Sequence, residues 1–246
     1  EAGRYDEAVS CYRRALEIKP DYIGAINNLG VCLHSQQKYD QAIEQFHRAL
    51  EIKPDYISVL NNPGLCLQSQ QKYDQAIEQF RRALEIKPGY MNAYNNIGNT
   101  LWMQNKLDEA AGYFHQASDL CHDCVEPHCN LGSILELQGK LEEAAVQFRT
   151  AVQLKPDFAE AHIYLGNLLV KQRKLDHAVI HYRQAAQIRQ GWLLPLDKMI
   201  TTLTMDPQLK ARYANEAVDL AEHIAGLSKY RDPAALKTLA SAYAAA

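Results

Sequence analysis

The residues best suited to bind a metal ion lie in one short segment, CHDCVEPHC. This segment contains Cys121, His122, Cys124, His128 and Cys129. A C-x-x-C pair followed by histidine and cysteine supplies enough soft ligands for zinc. The same residues would also span a turn and opposite faces of the helix that follows it. This second arrangement favours ordinary packing, so we predict no cofactor and keep the Cys121, Cys124, His128 and Cys129 cluster as the alternative.

No other group of side chains has the spacing of a catalytic site. The sequence contains no recognisable Ser-His-Asp, Walker or paired-carboxylate arrangement. Its other histidines include five that are predicted to be single surface or packing residues: His34, His115, His162, His177 and His181. The sequence therefore predicts a protein that is not an enzyme.

Asparagine recurs at a fixed interval and offers a different chemistry, namely recognition of a polypeptide backbone. Asn28, Asn62, Asn96 and Asn130 are each separated by 34 residues. One amide has an acceptor oxygen and two donor hydrogens, so it can pair with both polar groups of a peptide bond. The alternative is that these amides tie neighbouring repeats together or stay solvated, and the sequence leaves both interpretations open.

The 34-residue interval extends to apolar and small residues, which shows that the chain is built from repeats. The segment that begins at Asn27 aligns almost letter for letter with the segment that begins at Asn61. Four further columns keep the spacing: Gly30, Gly64, Gly98, Gly132 and Gly166; Ala42, Ala76, Ala110, Ala144 and Ala178; Phe46, Phe80, Phe114, Phe148 and Tyr182; Ala49, Ala83, Ala117, Ala151 and Ala185. Each unit has two blocks of helical periodicity around a short polar turn and is predicted to be a helical hairpin.

The predicted fold class is all-α, an α-solenoid of antiparallel helical hairpins. One hairpin cannot cover its own apolar face, so stacked neighbours must complete the core. The predicted array covers residues 1–192, with a lone second helix at 3–20 and five full repeats at 23–56, 57–90, 91–124, 125–158 and 159–192. Divergent helical repeats are predicted to continue the solenoid over residues 193–246, with the last one incomplete.

One residue breaks the pattern inside a predicted helix. Pro63 occupies a position at which the other repeats have Leu29, Ile97, Leu131 and Leu165. Proline cannot donate a backbone hydrogen bond to the preceding turn. The helix that starts at Ile57 is therefore predicted to kink or to begin late.

The glycine, alanine and aromatic columns together resemble the tetratricopeptide repeat (TPR) family over residues 3–192. The asparagine column is most similar to the TPR arrays of O-linked N-acetylglucosamine transferases. This resemblance implies a right-handed superhelix in which the first helix of each hairpin lines a concave groove. The residues it assigns to a peptide-binding groove are Asn27, Asn28, Asn61, Asn62, Asn95, Asn96, Asn99, Asn130, Tyr164 and Asn167.

The function predicted on this basis is that of a scaffold which binds an extended segment of a partner protein. The alternative is the substrate-recruiting arm of a larger O-linked glycosyltransferase whose catalytic domain lies outside residues 1–246. A net charge of −3 gives no general attraction for nucleic acid or for anionic membranes. The predicted partners are therefore proteins or peptides.

The cysteines give an expectation about the cellular compartment. Cys11, Cys32 and Cys66 fall at core-type helix positions, which suit small reduced side chains and favour an intracellular, cytoplasmic setting.

Incomplete repeats at both ends of the chain leave apolar stripes that include Val9 and Tyr243. These stripes predict head-to-tail self-association of the chain.

Overall fold

The computed structural model describes residues 2–189, 191–203, 205–227 and 231–246. Within these ranges the chain forms fifteen α-helices and no strand. Eight lie before residue 122: α1 (Ala2–Ile18), α2 (Ile23–Ser35), α3 (Tyr39–Ile52), α4 (Ile57–Leu60), α5 (Asn62–Ser69), α6 (Tyr73–Ile86), α7 (Met91–Met103) and α8 (Leu107–Leu120). Seven follow: α9 (Val125–Leu137), α10 (Leu141–Leu154), α11 (Ala159–Lys171), α12 (Leu175–Ile188), α13 (Leu193–Leu203), α14 (Pro207–Leu227) and α15 (Pro233–Ala245).

The helices form two compact units, residues 1–122 and 123–246, called here the first and the second unit. In the first unit α2 packs on α3, α5 on α6 and α7 on α8, while α3 contacts α5 and α6 contacts α7. In the second unit α9 packs on α10 and α11 on α12, and α13 contacts α12, α14 and α15. Each unit is thus built from stacked helical hairpins, and the fold is the predicted α-solenoid.

A glycine and an aromatic ring fix the close approach of the two helices in five of the hairpins. A Cβ atom added to Gly30 would lie 2.5 Å from the Phe46 ring, and the equivalent distance for Gly98 and Phe114 is 2.7 Å. The remaining three pairs give 2.4 to 2.6 Å: Gly64 with Phe80, Gly132 with Phe148, and Gly166 with Tyr182. Carbon atoms need about 3.5 Å or more between centres. The predicted reason for these glycines, space for a helix crossing, is confirmed.

The turns between paired helices contain residues in the left-handed backbone region. Gln37, Gln71, Asn105 and Arg173 have φ of 60° or 61° at the same repeat position. The fifth residue of this column is Gly139, with φ of 76°. Residues other than glycine and asparagine rarely adopt this conformation. The packed helices on both sides therefore impose the turn geometry on Gln37, Gln71 and Arg173, which do not favour it.

Glutamines within each unit tie a repeat to the one before it, a feature that the sequence analysis missed. Gln36 Nε2 donates to Asp6 Oδ1 and Gln70 Nε2 donates to Asp40 Oδ1, each at 2.8 Å. Gln104 makes the same contact with an aspartate 30 residues earlier, again at 2.8 Å. In the second unit Gln172 donates to Glu142 at 3.4 Å. Each of these hydrogen bonds spans 30 residues and joins the end of a first helix to the start of the second helix that precedes it in the chain.

Pro63 interrupts its helix as predicted. The helical segment stops at Leu60, and α5 begins at Asn62, with Pro63 in its first turn. The backbone N–H of Leu65 resumes the pattern by donating to the Asn61 carbonyl oxygen at 3.0 Å. Because proline has no N–H, Pro63 itself cannot make the helical hydrogen bond to the carbonyl of Val59.

One expectation about the chain ends is wrong. Val9, expected on an uncovered stripe, is only 7% exposed because α1 packs it against α2. Leu236 and Tyr243 on α15 are exposed, as expected, at 40% and 54%.

Candidate peptide-binding face

In the first unit the predicted asparagines lie on neighbouring first helices. Asn28 is exposed on α2, whereas Asn62 on α5 and Asn96 on α7 are half-buried. Asn27 Nδ2 donates to Asn28 Oδ1, and Asn62 Nδ2 donates to Asn27 Oδ1, both at 3.2 Å. A chain of amides therefore links one repeat to the next. Asn27 and Asn62 follow the interpretation in which amides tie repeats together, while the amide of Asn28 is exposed to solvent.

Asn61 does not belong to the face that a ligand could reach. Its side chain is 6% exposed, and its Oδ1 atom is buried without a hydrogen-bond partner among the described residues. The helix break before Pro63 places Asn61 at the junction of α4 and α5. The prediction that Asn61 contacts a ligand is therefore wrong for this conformation.

The neighbouring asparagines of α7 have partly apolar surroundings. Asn95 is half-buried and its amide lies 3.7 Å from the sulfur of Met91. Asn99 lines a cavity of about 400 Å³ together with Gln68, Trp102 and Met103. Met103 is 59% exposed, so this cavity combines an amide with accessible apolar surface.

Exposed apolar side chains stand next to the amides, and the search for polar groups overlooked them. Val31 is 45% exposed on α2, and it lines a cavity of about 200 Å³ with His34, Asn62 and Leu65. We call Asn28, Val31, Asn62 and Leu65 the amide–apolar face. Val31 and Leu65 each lie three residues after an asparagine of the 34-residue column, about one helical turn along the same face. That spacing was the signal that could have identified them.

Polar contacts between repeats hold the helices that carry this face. His34 Nε2 and Ser69 Oγ are 3.4 Å apart, and Gln68 Nε2 donates to Thr100 Oγ1 at 3.0 Å. Thr100 is fully buried and donates to the Asn96 carbonyl oxygen at 2.6 Å. The first helices of this unit are therefore fixed by side-chain hydrogen bonds as well as by apolar packing.

In the second unit the three predicted groove residues have separate environments. Asn130 is half-buried on α9. Tyr164 is 38% exposed and stacks on Phe148, with ring centroids 5.6 Å apart. Asn167 Oδ1 accepts a hydrogen bond from the Tyr182 hydroxyl at 3.0 Å.

A cavity of about 400 Å³ in the second unit brings charged groups close to Asn167. Glu136, Lys171 and Lys198 all line it, and Lys171 Nζ lies 2.6 Å from Glu136 Oε1. Burial, together with the nearby charge of Glu136, raises the pKa of Tyr182. The hydroxyl of Tyr182 therefore keeps its proton, and the hydrogen bond to Asn167, at neutral pH.

The cysteine and histidine segment does not assemble a metal site. Cys121 and Cys124 are both disulfide-bonded, and this removes the thiolates that zinc would need. Cys129 is buried, and burial raises the pKa of its thiol to about 12. His128 uses Nδ1 in a 2.8 Å contact with Gln147 Oε1. Among the described residues no three His, Cys, Asp or Glu side chains are grouped to hold a metal ion.

The remaining cysteines match the core prediction unevenly. Cys66 is buried, and burial raises the pKa of its thiol to about 12; Cys32 is half-buried. Cys11, predicted at a core-type position, is exposed on α1, because α1 turns another side towards α2. A cytoplasmic setting stays a prediction.

The helical hairpins, their glycine–aromatic contacts and the exposed first helices define a helical-repeat protein. A family model described as tetratricopeptide repeat matches residues 1–53, 21–89 and 58–123, and a second TPR model matches residues 135–173. The chain belongs to the tetratricopeptide repeat family. None of the described helices is both long and apolar enough to cross a membrane. A sequence comparison with curated proteins gives no significant match.

Several solved structures share the fold at low sequence identity. PilF of Pseudomonas aeruginosa aligns with a TM-score of 0.65 and 20% identity over 96% of this chain and 98% of its own. YrrB, described as a TPR protein with an unusual peptide-binding site, aligns with a TM-score of 0.53 and 21% identity over 76% of this chain and 96% of its own. MamA aligns with a TM-score of 0.56 and 19% identity over 65% of this chain and 94% of its own. These similarities establish the fold alone.

Proposed function

We propose that this protein is an interaction scaffold which binds an extended segment of a partner protein on its first helices. The observation that carries the proposal is the amide–apolar face, where the exposed Asn28 amide and the exposed Val31 side chain lie one helical turn apart. An extended peptide requires both kinds of contact, hydrogen bonds to its backbone and apolar surface for alternate side chains. The peptide-binding site named for YrrB, which has the same fold, supports this assignment.

The repeat spacing suits a ligand that is extended. Neighbouring helices pack about 8–10 Å apart, and an extended peptide advances about 3.3 Å per residue. A new first helix would therefore meet the ligand about every three residues. Position 6 of the repeat supplies Asn28, Asn62 and Asn96 in the first unit. Asn62 is half-buried and its Nδ2 donates to both Asn27 and Ser58, whereas Asn28 is exposed, so Asn62 is expected to contribute less to binding than Asn28 does.

The test starts from peptides selected on the wild-type protein from a random display library. For each selected peptide, fluorescence anisotropy compares the wild type with the double variant Asn28→Ala, Val31→Ala. Each lost contact is worth on the order of 1 kcal/mol, so the affinity should fall by about 10-fold or more. His47→Ala on α3 is the matched control, since His47 is also exposed in the same repeat but on the second helix.

Two outcomes would contradict the proposal. One is that selection yields no peptide that binds at micromolar concentration. The other is that both variants bind as the wild type does, because binding would then occur elsewhere on the molecule. Circular dichroism of both variants checks that the helices are intact, so a loss of binding is separated from a loss of fold.

The glycosyltransferase arm stays the alternative proposal. Its support is the asparagine column, and none of the three solved structures named above is described as a glycosyltransferase. Gene sequence that encodes a nucleotide-sugar transferase domain in the same open reading frame would favour it.

Head-to-tail self-association also stays a prediction, and the exposed Leu236 and Tyr243 support it. A strictly monomeric mass in light scattering at high concentration would contradict it.

A further inference from the structure

Two histidines meet in the second unit and have no part in the proposed peptide contact. His162 on α11 and His181 on α12 place their Nδ1 atoms 3.0 Å apart, with ring centroids at 5.2 Å. His162 is only 3% exposed. Burial is the first cause that lowers the pKa of each imidazole, and it lowers the pKa of His181 to about 4. Both rings are therefore neutral near pH 7.

The backbone determines which nitrogen of His162 carries the proton. Nε2 of His162 lies 3.1 Å from the carbonyl oxygen of Pro156. Since a carbonyl oxygen only accepts, Nε2 must be the protonated nitrogen and Nδ1 must present its lone pair. The proton in the contact between the two rings then belongs to Nδ1 of His181. A histidine that donates one N–H to a backbone carbonyl is oriented as metal-binding histidines are.

A third electron-pair donor faces the same cleft. The two histidines and Gln184 line a cavity of about 640 Å³ in the second unit. Gln184 Oε1 is buried, and the Gln184 side chain interacts with both imidazoles. A bound cation would accept electron pairs from this oxygen and from both imidazoles.

We propose that His162, His181 and Gln184 form a binding site for a divalent transition-metal ion of the Zn²⁺ class. Zinc–nitrogen bonds of about 2.0–2.1 Å at the tetrahedral angle separate two ligand nitrogens by about 3.3–3.4 Å. The observed separation of the two Nδ1 atoms is 3.0 Å, so a small rotation of the rings would bring the nitrogens to that spacing. On binding, the proton of His181 Nδ1 moves to Nε2 of the same ring, and the ion takes its place between the rings. Water completes the coordination.

Nearby positive charge limits the strength of this site. Arg149 and His177 are among the groups whose charge lowers the pKa of His181, so they also disfavour a dication. The proposed ligands include no anionic side chain. We therefore expect a dissociation constant in the micromolar range, weaker than that of structural zinc sites with several thiolates. Removing the charge with Arg149→Gln should tighten binding.

The experiment is calorimetric titration of the intact protein with ZnCl₂ at pH 7.5, followed by NMR of ¹⁵N-histidine-labelled protein. The expected result is one ion bound at micromolar concentration, with a shift of the Nδ1 resonance of His162. His181→Ala and Gln184→Ala should each weaken binding, the first by more than 10-fold. The control His223→Gln, an exposed histidine on α14, should bind as the wild type does. Affinity should also fall as the pH approaches 4, where protons begin to compete with the ion for His181.

Three results would overturn the proposal. They are no binding below millimolar zinc, equal affinity in His181→Ala, and loss of binding in His128→Gln or Cys129→Ser instead. The last would assign the ion to the cysteine and histidine segment. Because His162 is buried and its replacement could unfold the hairpin, the variants of His181 and Gln184 carry the test. Circular dichroism confirms that these two remain helical. None of these outcomes depends on peptide binding.

Discussion

Single residues in the core decide whether each hairpin can close. Each phenylalanine of the aromatic column is at most 1% exposed, and it fills the space directly above a glycine. The glycine column could be read from the sequence because its physical reason, removal of bulk, recurs at every repeat. The burial of Asn61 could not be read, since it depends on how the break before Pro63 is accommodated. The exposure of Val31 was also missed, because the search followed amides and not apolar side chains.

At this scale we predict opposite effects for two glycines of one repeat. Gly98→Ala should lower the free energy of unfolding by about 2 kcal/mol, because the added Cβ would lie 2.7 Å from the Phe114 ring. Gly112→Ala should raise it by about 0.5–1 kcal/mol, because Gly112 lies in α8 with no atom within 4 Å of the added group. Urea unfolding measures both. Equal effects of the two changes would contradict the role of the ring contact.

Secondary-structure elements follow the repeat frame closely, and they depart from it where one side chain changes the backbone. Each predicted repeat range contains a helical hairpin, and the first helix of one of them is split into α4 and α5. The split was predictable because it follows from a missing N–H. The glutamine ties between repeats were not, because the sequence shows that a glutamine and an acidic residue each recur every 34 residues but not that these two side chains meet. The left-handed turns were missed because only Gly139 among them is a glycine.

For the split helix we predict that Pro63→Leu stabilises the protein. Leucine would supply a donor for the carbonyl of Val59, and the equivalent residues Leu29 and Ile97 are buried in unbroken helices. The gain should be about 1 kcal/mol or more, seen as a rise in melting temperature. The reverse change Leu29→Pro is the matched control and should lower the melting temperature. A fall for Pro63→Leu would show that the packing requires the break.

At the scale of the whole molecule, the two units differ in how protons affect them. The first unit ties its first helices together with amide and hydroxyl groups, such as Gln68 and Thr100, which do not titrate near neutral pH, and with one histidine, His34, whose pKa is lowered by burial. The second unit contains the neutral pair His162 and His181. The ordinary pKa of histidine is 6.5, and the pKa of His181 is lowered to about 4 by burial, by His162, His177 and Arg149. Between pH 4 and pH 6.5, His181 therefore binds more protons in the unfolded protein than in the folded protein.

Stability of the second unit should accordingly fall as the pH decreases from about 6.5 towards 4. The lowered pKa means that the stabilising contribution is complete above 6.5 and is lost progressively below it. The measurement is the melting temperature by circular dichroism at pH 7.5 and pH 5. His181→Gln should reduce the difference between the two temperatures, while His223→Gln should keep it. Identical differences in wild type and His181→Gln would remove the pair as the cause.

The glutamine ties have a consequence for how an array of this kind changes length. Each tie joins a glutamine of one repeat to an acidic residue of the repeat before it. Every added repeat therefore brings a glutamine for the repeat before it and an acidic residue for the repeat after it. The near-identical stretches that begin at Asn27 and Asn61 already carry interchangeable halves, since Gln36 and Gln70 each meet an aspartate at 2.8 Å. Duplicating residues 57–90 would therefore recreate both junctions without a new contact. A gene could lengthen this scaffold by copying whole 34-residue segments, with each copy already matched to its neighbours.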